Sequence, residues 1–279
     1  MNKDNFPIEY EIKPPGKFSL GLKELWENRE LFYFFAWRDI KIKYKQTVLG
    51  FLWVILQPLF LTLIFNFGIG NYFGNSIQSG LAYPVYVLSG LIIWSVFSSS
   101  VTSSGSSMVS HANIIKKIYF PRLVIPASSV IVSLFDFVVS FVLLVIFAFY
   151  YHTRFEIVSL LFILGGVFCA LIASLGVGIF LSALNVKYRD FRYVTPFLLQ
   201  AMFFISPIIY PLEFEHNKFL KLVLLANPMT SAIELFRAAF HTSGVDFDSI
   251  IYSIVISVVI FCFAIYYFRK TEAYFADVA

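Results

Sequence analysis

Cysteine and charge are both scarce in this chain. Cys169 and Cys262 lie inside apolar runs, and two cysteines are too few for a disulfide framework. The four histidines are scattered without metal-ligand spacing, so we expect no metal site. Only 14% of the 279 residues are charged and 59% are hydrophobic, whereas soluble domains carry about 25% charged residues. A soluble chain of this length could not cover so much apolar surface, and the sequence therefore predicts a membrane protein.

The sequence also lacks the motifs of several chemistries. It has no G-x-x-x-x-G-K-[ST] phosphate-binding loop, and the nearest fragment, PGKF at residues 15–18, lacks the earlier glycine and the hydroxyl. The spacing suggests no Ser/His/Asp or Cys/His cluster. The polar N-terminus has no apolar stretch after its charges, so we do not expect a secretory signal. These absences predict a chain without an intrinsic catalytic site.

Long apolar runs predict an all-α polytopic membrane protein with six transmembrane helices. A helix needs about 20 apolar residues to cross the hydrocarbon core of a bilayer, and runs this long without alternation do not fit membrane strands. The six predicted spans lie at about 49–70, 83–104, 121–150, 157–184, 194–211 and 249–268. No internal repeat is apparent, so we expect one transmembrane domain over residues 49–268, with a weak inverted repeat as the open alternative.

Three further segments complete the predicted organisation. Residues 1–30 form an N-terminal cytoplasmic segment, and residues 269–279 form a cytoplasmic tail. Residues 212–247 hold only short apolar pieces, such as FLKLVLLA, that do not reach across a bilayer. We predict a re-entrant helical hairpin there, between spans five and six, with Asn227-Pro228 as the cap and first turn of its second helix.

The positions of the basic residues predict the orientation of the spans. Of the 21 Lys and Arg residues, 17 lie in the N-terminal region, the loops after spans two and four, and the C-terminal tail. The alternate segments hold the other four, namely Arg154, Lys218, Lys221 and Arg237. Since basic residues concentrate on the cytoplasmic side, both termini are expected in the cytoplasm.

The stretch before the first span combines two patterns. Residues 40–45 alternate apolar and basic side chains, as an exposed strand does, whereas residues 31–37 read LFYFFAW, which suits a membrane boundary. We predict an amphipathic interfacial helix over residues 31–46 whose basic side chains face anionic lipid. In that helix Asp39 and Lys43 are neighbours four residues apart in the favourable orientation for an ion pair.

One carboxylate, Asp136 in SLFDFVVSF, lies deep in an apolar run. Three roles are open for it: a hydrogen bond to a neighbouring helix, a part in a pore or a conformational change, and proton coupling. A single group is little support for a proton relay, so we expect the hydrogen-bonded role.

Five stretches resemble the permease subunits of ABC exporters for cell-surface polysaccharides, a family that includes O-antigen, capsule and teichoic-acid export permeases. The first, WRDIKIKYKQTVLGFLWVILQPL at residues 37–59, looks like the start of those permeases. The others resemble two cytoplasmic loops, the outer end of span five and the re-entrant segment. They are NIIKKIYFPRLVIP (113–126), NVKYRDFRYVTPFLLQ (185–200), SPIIYP (206–211) and NPMTSAIELFR (227–237). Residues 1–30 show no such likeness.

The resemblance implies a permease of the cytoplasmic (inner) membrane that works as a homodimer with two separate ATP-binding cassette subunits. The dimer would extrude a lipid-linked glycan through a channel. ATP and Mg²⁺ would be used by the partner subunit, so this chain would bind no cofactor, and nucleic acid is not an expected partner. The helix at residues 31–46 would be a gate at the channel mouth, and its gating residues would be Trp37, Arg38, Lys41, Lys43 and Lys45.

The same resemblance makes the loops after spans two and four the docking surface for the ATPase. For the first loop the alternative is a basic anchor that only fixes topology. For the second the alternatives are a contact between the two permease copies and a solvated loop. The implied docking residues are Asn113, Lys116, Lys117, Tyr119, Arg122, Arg189 and Asp190.

Aromatic residues make up 19% of the chain, and a glycan pore can use them because sugar rings stack on aromatic faces. Most aromatic side chains of a membrane protein face lipid or the core instead. The pore candidates near spans one and five are Phe60, Phe67, Tyr72, Phe197, Phe203, Phe204 and Tyr210. The small residues of SSSVTSSGSS (98–107) suit either a dimer interface or a pore lining.

Two other functions stay open from the sequence. A permease that exports small molecules would share the general fold of an ABC exporter. An ion- or proton-coupled carrier working alone would depend on Asp136.

Overall fold

Helices make up the regular structure of the residues that the computed structural model describes. Those residues are 26–45, 50–70, 81–117, 120–153, 156–211, 218–240 and 247–272. We number the helices in chain order as α1 (Arg29–Lys45), α2 (Gly50–Gly68), α3 (Tyr83–Ser110), α4 (Ala112–Ile115), α5 (Val124–Tyr150), α6 (Ile157–Lys187), α7 (Phe191–Ile205), α8 (Lys218–Ala226), α9 (Met229–Ala238) and α10 (Phe247–Thr271).

Four of these helices, α3, α5, α6 and α10, are long and apolar enough to cross a membrane. They coincide with predicted spans two, three, four and six, which confirms the all-α membrane fold. The helices at spans one and five are shorter, since α2 has 19 residues and α7 has 15. Pro207 holds Ser206 in an extended conformation, so α7 ends at Ile205 rather than at residue 211. The six-span count stays a prediction.

The long helix α3 lies against both α5 and α6 and is the most enclosed of the four. Its first half buries large side chains such as Phe97, whereas its second half is rich in serine. Ser100 Oγ lies 2.5 Å from Ser133 Oγ of α5. A Cβ on Gly178 of α6 would come within 2.8 Å of Ser104. Small side chains therefore bring the three helices close together, and a hydroxyl pair joins α3 to α5.

The helix α1 covers Arg29–Lys45, so the alternating residues 40–45 do not form a strand. Its buried residues are Phe35 and Ala36, and the Phe35 ring lies 5.6 Å from the ring of Phe120, centre to centre. The predicted ion pair between Asp39 and Lys43 does not form, because each has another partner described below. The position of α1 at a membrane interface stays a prediction.

Two short helices, α8 and α9, occupy the segment between α7 and α10. Asn227 accepts a hydrogen bond from the Met229 backbone N–H over 3.0 Å, and it donates one to Ser206 Oγ over 2.8 Å. Asn227 thus satisfies a free N–H at the start of α9, as predicted, whereas Pro228 directly precedes α9 instead of forming its first turn. Whether the two helices re-enter the membrane stays a prediction.

The proline inside α2 frees a backbone carbonyl that another helix satisfies. Pro58 has no N–H, so the Val54 carbonyl loses its partner within α2. Ser140 of α5 donates to that carbonyl over 3.2 Å, and Thr62 Oγ1 donates to the Pro58 carbonyl over 2.8 Å. These bonds attach the irregular part of α2 to α5.

Candidate functional site

A cavity of about 860 Å³ lies between α2, α3 and α7. It is partly open and is lined by side chains of these three helices together with Lys43 of α1 and Asp136 of α5. The lining residues are Lys43, Gly50, Trp53, Val54, Gln57, Pro58, Leu61, Phe65, Leu91, Trp94, Ser95, Ser98, Ser99, Thr102, Ser103, Asp136, Leu199, Gln200, Phe203 and Phe204. Such a volume suits a group the size of a few sugar rings or a large organic molecule.

Aromatic rings form one part of the cavity wall. The ring of Phe203 on α7 lies edge-on to Trp94 of α3, with 5.6 Å between centres. The same ring is stacked with Phe65 of α2 at 6.3 Å. These geometries are the favoured ones for aromatic pairs, so the three helices hold each other in place by the rings that face the cavity.

Hydroxyl groups form another part of the wall, along one face of α3. Ser98, Ser99, Thr102 and Ser103 line the cavity. Thr102 Oγ1 bonds to the Ser98 carbonyl over 2.7 Å, so these side chains are oriented by their own helix. On the opposite face the neighbouring serines are buried against α5 and α6. The serine-rich stretch of α3 thus divides into a cavity-lining face and a packing face.

The sequence-predicted pore residues fall into two groups. Phe203 and Phe204 line the cavity, and the Tyr210 hydroxyl donates to the Phe204 carbonyl over 2.8 Å. Three candidates, Phe60, Phe67 and Phe197, are exposed on the outer surface of their helices. Tyr72 lies outside the described residues.

The C-terminal end of α1 meets α5 at the edge of the cavity. Lys43 Nζ lies 2.5 Å from Asp136 Oδ2, and both side chains line the cavity. The Tyr44 hydroxyl donates to the other oxygen, Asp136 Oδ1. Burial and the hydrogen bond to this carboxylate raise the pKa of Tyr44, so the phenol keeps its proton. Asp136 is thus hydrogen-bonded to another helix, and that helix is α1.

A second polar contact joins the middle of α1 to the end of α3. His111 donates from Nδ1 to the Ser107 carbonyl over 2.6 Å, because a carbonyl oxygen can only accept. Its Nε2 then accepts a hydrogen bond from Arg38. Arg38 also pairs with Asp39 at 2.8 Å, and its guanidinium lies 4.9 Å above the centre of the Phe35 ring. This cluster attaches α1 to the residue that separates α3 from α4.

The carboxyl of Asp39 belongs to the same cluster. Burial raises its pKa, but the hydrogen bonds and the positive charge of Arg38 outweigh burial and hold the pKa below its ordinary value. Asp39 therefore stays ionised at neutral pH and keeps its attraction for Arg38.

The remaining side chains of the predicted gate lie on the outer face of α1. Trp37 is exposed and stacks on Tyr33, with 6.3 Å between ring centres. Lys41 Nζ lies 5.4 Å from the centre of the Trp37 ring. Lys45, the last residue of α1, is exposed. This face combines apolar rings with basic groups, as amphipathic helices at anionic lipid do.

The short helix α4 and the residues after it present exposed polar groups. Asn113, Lys116 and Lys117 are exposed, whereas Ile115 is buried and fixes α4 to the bundle. Arg122 is partly buried and donates to the Glu272 carbonyl at the end of α10 over 2.6 Å. Tyr119 lies outside the described residues.

The turn before α7 lies beside α4. A cleft of about 470 Å³ is lined by Ala112 on one side and by Arg189, Asp190 and Arg192 on the other. These three charged residues are exposed. The structure therefore brings the two predicted docking loops together at one end of the helix bundle.

Sequence reasoning missed His111 and the partner of Asp136. His111 follows directly after the serine-rich helix and precedes the loop at 113–126, but a lone histidine at a helix end has no distinctive spacing. Lys43 and Asp136 are 93 positions apart. A pairing over that distance in the chain leaves no local signal.

The chain resembles proteins whose names describe export of surface polysaccharides. It is 30% identical over 244 residues to the O-antigen export system permease protein RfbA of Klebsiella pneumoniae, covering 86% of this chain and 92% of that protein. The RfbA protein of Myxococcus xanthus is 28% identical over 265 residues, 92% and 98% of the two chains. The polysialic acid transport protein KpsM of Escherichia coli is 28% identical over 206 residues, 72% and 78% of the chains.

A family model covers most of the same region. The match spans residues 30–241 and runs from α1 through the cavity-lining helices to the end of α9. Together with the four long apolar helices, it identifies a multi-pass membrane protein of a transporter family. The chain belongs to the ABC-2 type transporter family.

Proposed function

We propose that this chain is the permease subunit of an ATP-driven exporter that moves a lipid-linked polysaccharide across the cytoplasmic (inner) membrane. Two copies form the channel, and two separate ATP-binding subunits hydrolyse ATP with Mg²⁺. The permease itself binds no cofactor and carries no catalytic site. Both of its termini, and the end of the bundle that carries α4, face the cytoplasm.

The observation that carries this proposal is the cavity between α2, α3 and α7. Its wall combines the rings of Trp94 and Phe203 with the hydroxyls of Ser98 and Thr102. Sugars have apolar C–H faces that pack on rings and hydroxyls that exchange hydrogen bonds with serine and threonine. A wall of both kinds, without a fixed charge on these residues, lets a polar chain slide past many weak contacts.

The substrate class is also supported by the relatives. All three are named for the export or transport of surface glycans, and each matches more than two thirds of this chain. A small-molecule exporter of the same family is the competing assignment. It predicts no dependence of surface glycan on this chain.

The ATP-binding subunits dock on the end of the bundle that carries α4. The exposed side chains of Asn113, Lys116 and Lys117 lie there with Arg189 and Asp190. Tyr119 and Arg122 complete the proposed surface. The short α4 is attached to the bundle by buried Ile115. A movement of the docked ATP-binding subunit that displaces α4 therefore also displaces α3 and α5.

The channel is lined by Phe203 and Phe204 among the predicted aromatic residues, and α1 is the gate at its mouth. Trp37, Lys41 and Lys45 lie on the outer face of α1, where anionic lipid headgroups hold the helix at the membrane surface. Phe60, Phe67 and Phe197 face outward in the single chain, where lipid or the second copy covers them.

Deletion of the gene for this chain in its own host tests the proposal. We expect surface glycan to disappear and the lipid-linked glycan to accumulate in the inner leaflet of the cytoplasmic membrane, with recovery when the gene is restored. Normal surface glycan in the deletion strain, together with new sensitivity to a small exported compound, would contradict the proposal.

A further inference from the structure

The two ends of α1 are attached to the bundle by different kinds of contact. At its N-terminal half, Phe35 and Ala36 are buried among apolar side chains that include Phe120. At its C-terminal end, Lys43 and Lys45 are exposed. That end is held by polar contacts to Asp136, supported by the Tyr44 ring against Phe135 at 5.4 Å between centres.

Apolar burial and polar contacts respond differently to an incoming polar chain. The buried Phe35 would have to meet water to move, which is unfavourable. The pair of Lys43 and Asp136 lies at the cavity edge, with the lysine side chain 39% exposed and the aspartate 11% exposed. Water can replace each partner there, so the pair can separate and re-form.

Asp136 also lies where the loss of its ion pair with Lys43 would change the width of the cavity opening. It is the one carboxylate among the described side chains that line this space, and Lys43 is the one basic side chain there. While they are paired, α1 is held against α5 at the cavity edge. When they separate, the last turn of α1, which follows the Arg38 contact to His111, can move away from α5 and widen the opening between the two helices.

We propose that the cluster of Lys43, Tyr44 and Asp136 is a latch that opens and closes once in each transport cycle. The inference rests on the proposed function, since a latch at the cavity edge requires a substrate that passes it. Asp136 is then a positioning residue that acts through α1. It neither carries protons across the membrane nor binds the transported molecule.

The contact at His111 gives the latch a connection to the docking surface. His111 directly precedes α4 and accepts a hydrogen bond from Arg38, five residues before Lys43 on α1. A displacement of α4 by the ATP-binding subunit moves His111, and His111 moves Arg38. Because α1 is a continuous helix from Arg38 to Lys43, the displacement reaches Asp136.

Reversible cross-linking tests the latch directly. The protein for this test carries Lys43→Cys and Asp136→Cys, with Cys169→Ala and Cys262→Ser to remove the native thiols. It is reconstituted with its ATP-binding subunits and treated with a short bifunctional methanethiosulfonate. We expect glycan export to fall at least tenfold on cross-linking and to return when a reducing agent cleaves the link.

A matched control uses a contact that does not open in this account. Ser100→Cys and Ser133→Cys place two thiols where α3 and α5 pack in the bundle interior, with the native hydroxyls 2.5 Å apart. A disulfide there should leave export within about twofold of its reduced value. Unchanged export after complete cross-linking of the 43–136 pair would overturn the latch, while the proposed function would stand.

An exchange of charge gives a second readout that does not need thiols. Lys43→Asp alone puts two carboxylates together and should lower the ratio of glycan exported to ATP hydrolysed. Lys43→Asp with Asp136→Lys should restore that ratio to within threefold of wild type. If the exchanged pair does no better than the single variant, the latch is overturned. Absence of export by the wild-type protein in the same vesicles would instead contradict the proposed function.

Discussion

Arg237 Nη2 lies 2.6 Å from the carbonyl oxygen of Ile208, in the segment that follows the end of α7. The same guanidinium donates to the Pro207 carbonyl over 2.5 Å and to the Tyr86 hydroxyl over 2.7 Å. Arg237 is only 1% exposed, and Gly90 leaves room for it, since a Cβ there would lie 2.8 Å from Nη2. One buried cation thus satisfies the carbonyls of the turn that follows α7.

Replacement of Arg237 by lysine should destabilise this end of the bundle. Lysine keeps the charge but has a single ammonium in place of the planar fork, so some carbonyls lose their donors. We expect the free energy of unfolding to fall by about 1–3 kcal/mol, the cost of leaving a buried polar group without its hydrogen bond. The melting temperature in detergent measures this loss. Arg192→Lys is the control because Arg192 is exposed, and equal melting temperatures for the two variants would contradict the assignment.

Gly166 should not tolerate alanine, whereas its neighbour Gly165 should. A Cβ on Gly166 would lie 2.7–2.9 Å from the Cβ and backbone nitrogen of Phe236 and from the Ala232 carbonyl, which are fixed parts of α9. A Cβ on Gly165 would meet only Leu235 at 3.9 Å. We expect Gly166→Ala to lose folded protein in size-exclusion chromatography and Gly165→Ala to gain about 0.5–1 kcal/mol from helix propensity. Equal yields of the two variants would contradict the close approach of α6 and α9.

Alanine variants of two aromatic residues on α7 distinguish a side chain that lines the cavity from one on the outer surface. Phe204 and Phe197 are both exposed, but only Phe204 is among the side chains that line the cavity. Phe204→Ala should slow glycan export about 2- to 10-fold, because an aromatic contact contributes about 0.5–1.5 kcal/mol. Phe197→Ala should leave export by the reconstituted complex unchanged. A larger loss of export for Phe197→Ala than for Phe204→Ala would indicate that the substrate passes along the other face of α7.

Charge reversal on the α4 side should weaken the complex with the ATP-binding subunit. Lys116→Glu together with Lys117→Glu replaces two exposed cations of the proposed docking surface. We expect less ATP-binding subunit to co-purify in detergent, with a larger difference at low salt, where charge attraction is least screened. Lys221→Glu on exposed α8 is the control. Full retention of the subunit by the double variant would refute the docking assignment.

Hydropathy predicted the long helices well because it reports a property of each segment alone. The spans at 83–104 and 157–184 reappear in α3 and α6, although both helices extend beyond the apolar run to Ser110 and Lys187. Hydropathy does not report how far a helix continues beyond the bilayer, so the last residues of α3 and α6 were not predicted.

The places where prediction and structure differ depend on contacts that are distant in the chain. The spacing of four residues predicted an ion pair between Asp39 and Lys43. In the structure Asp39 pairs with Arg38, and Lys43 pairs with Asp136 of α5. The alternating pattern at residues 40–45 likewise does not distinguish a strand from a helix. In the helix Lys41 and Lys45 are exposed, whereas Lys43 pairs with Asp136 of α5. Neither outcome follows from spacing within one segment.

The most direct test of the account is transport of a defined lipid-linked oligosaccharide in proteoliposomes. The vesicles contain this chain with its ATP-binding subunits, and a glycosidase reports the glycan that has crossed the bilayer. We expect crossing that requires ATP, stops when the ATP-binding subunit cannot hydrolyse it, and is not supported by a proton gradient. Crossing that a proton gradient drives in vesicles holding this chain alone would contradict it, as would full ATP hydrolysis by the complex without any glycan crossing.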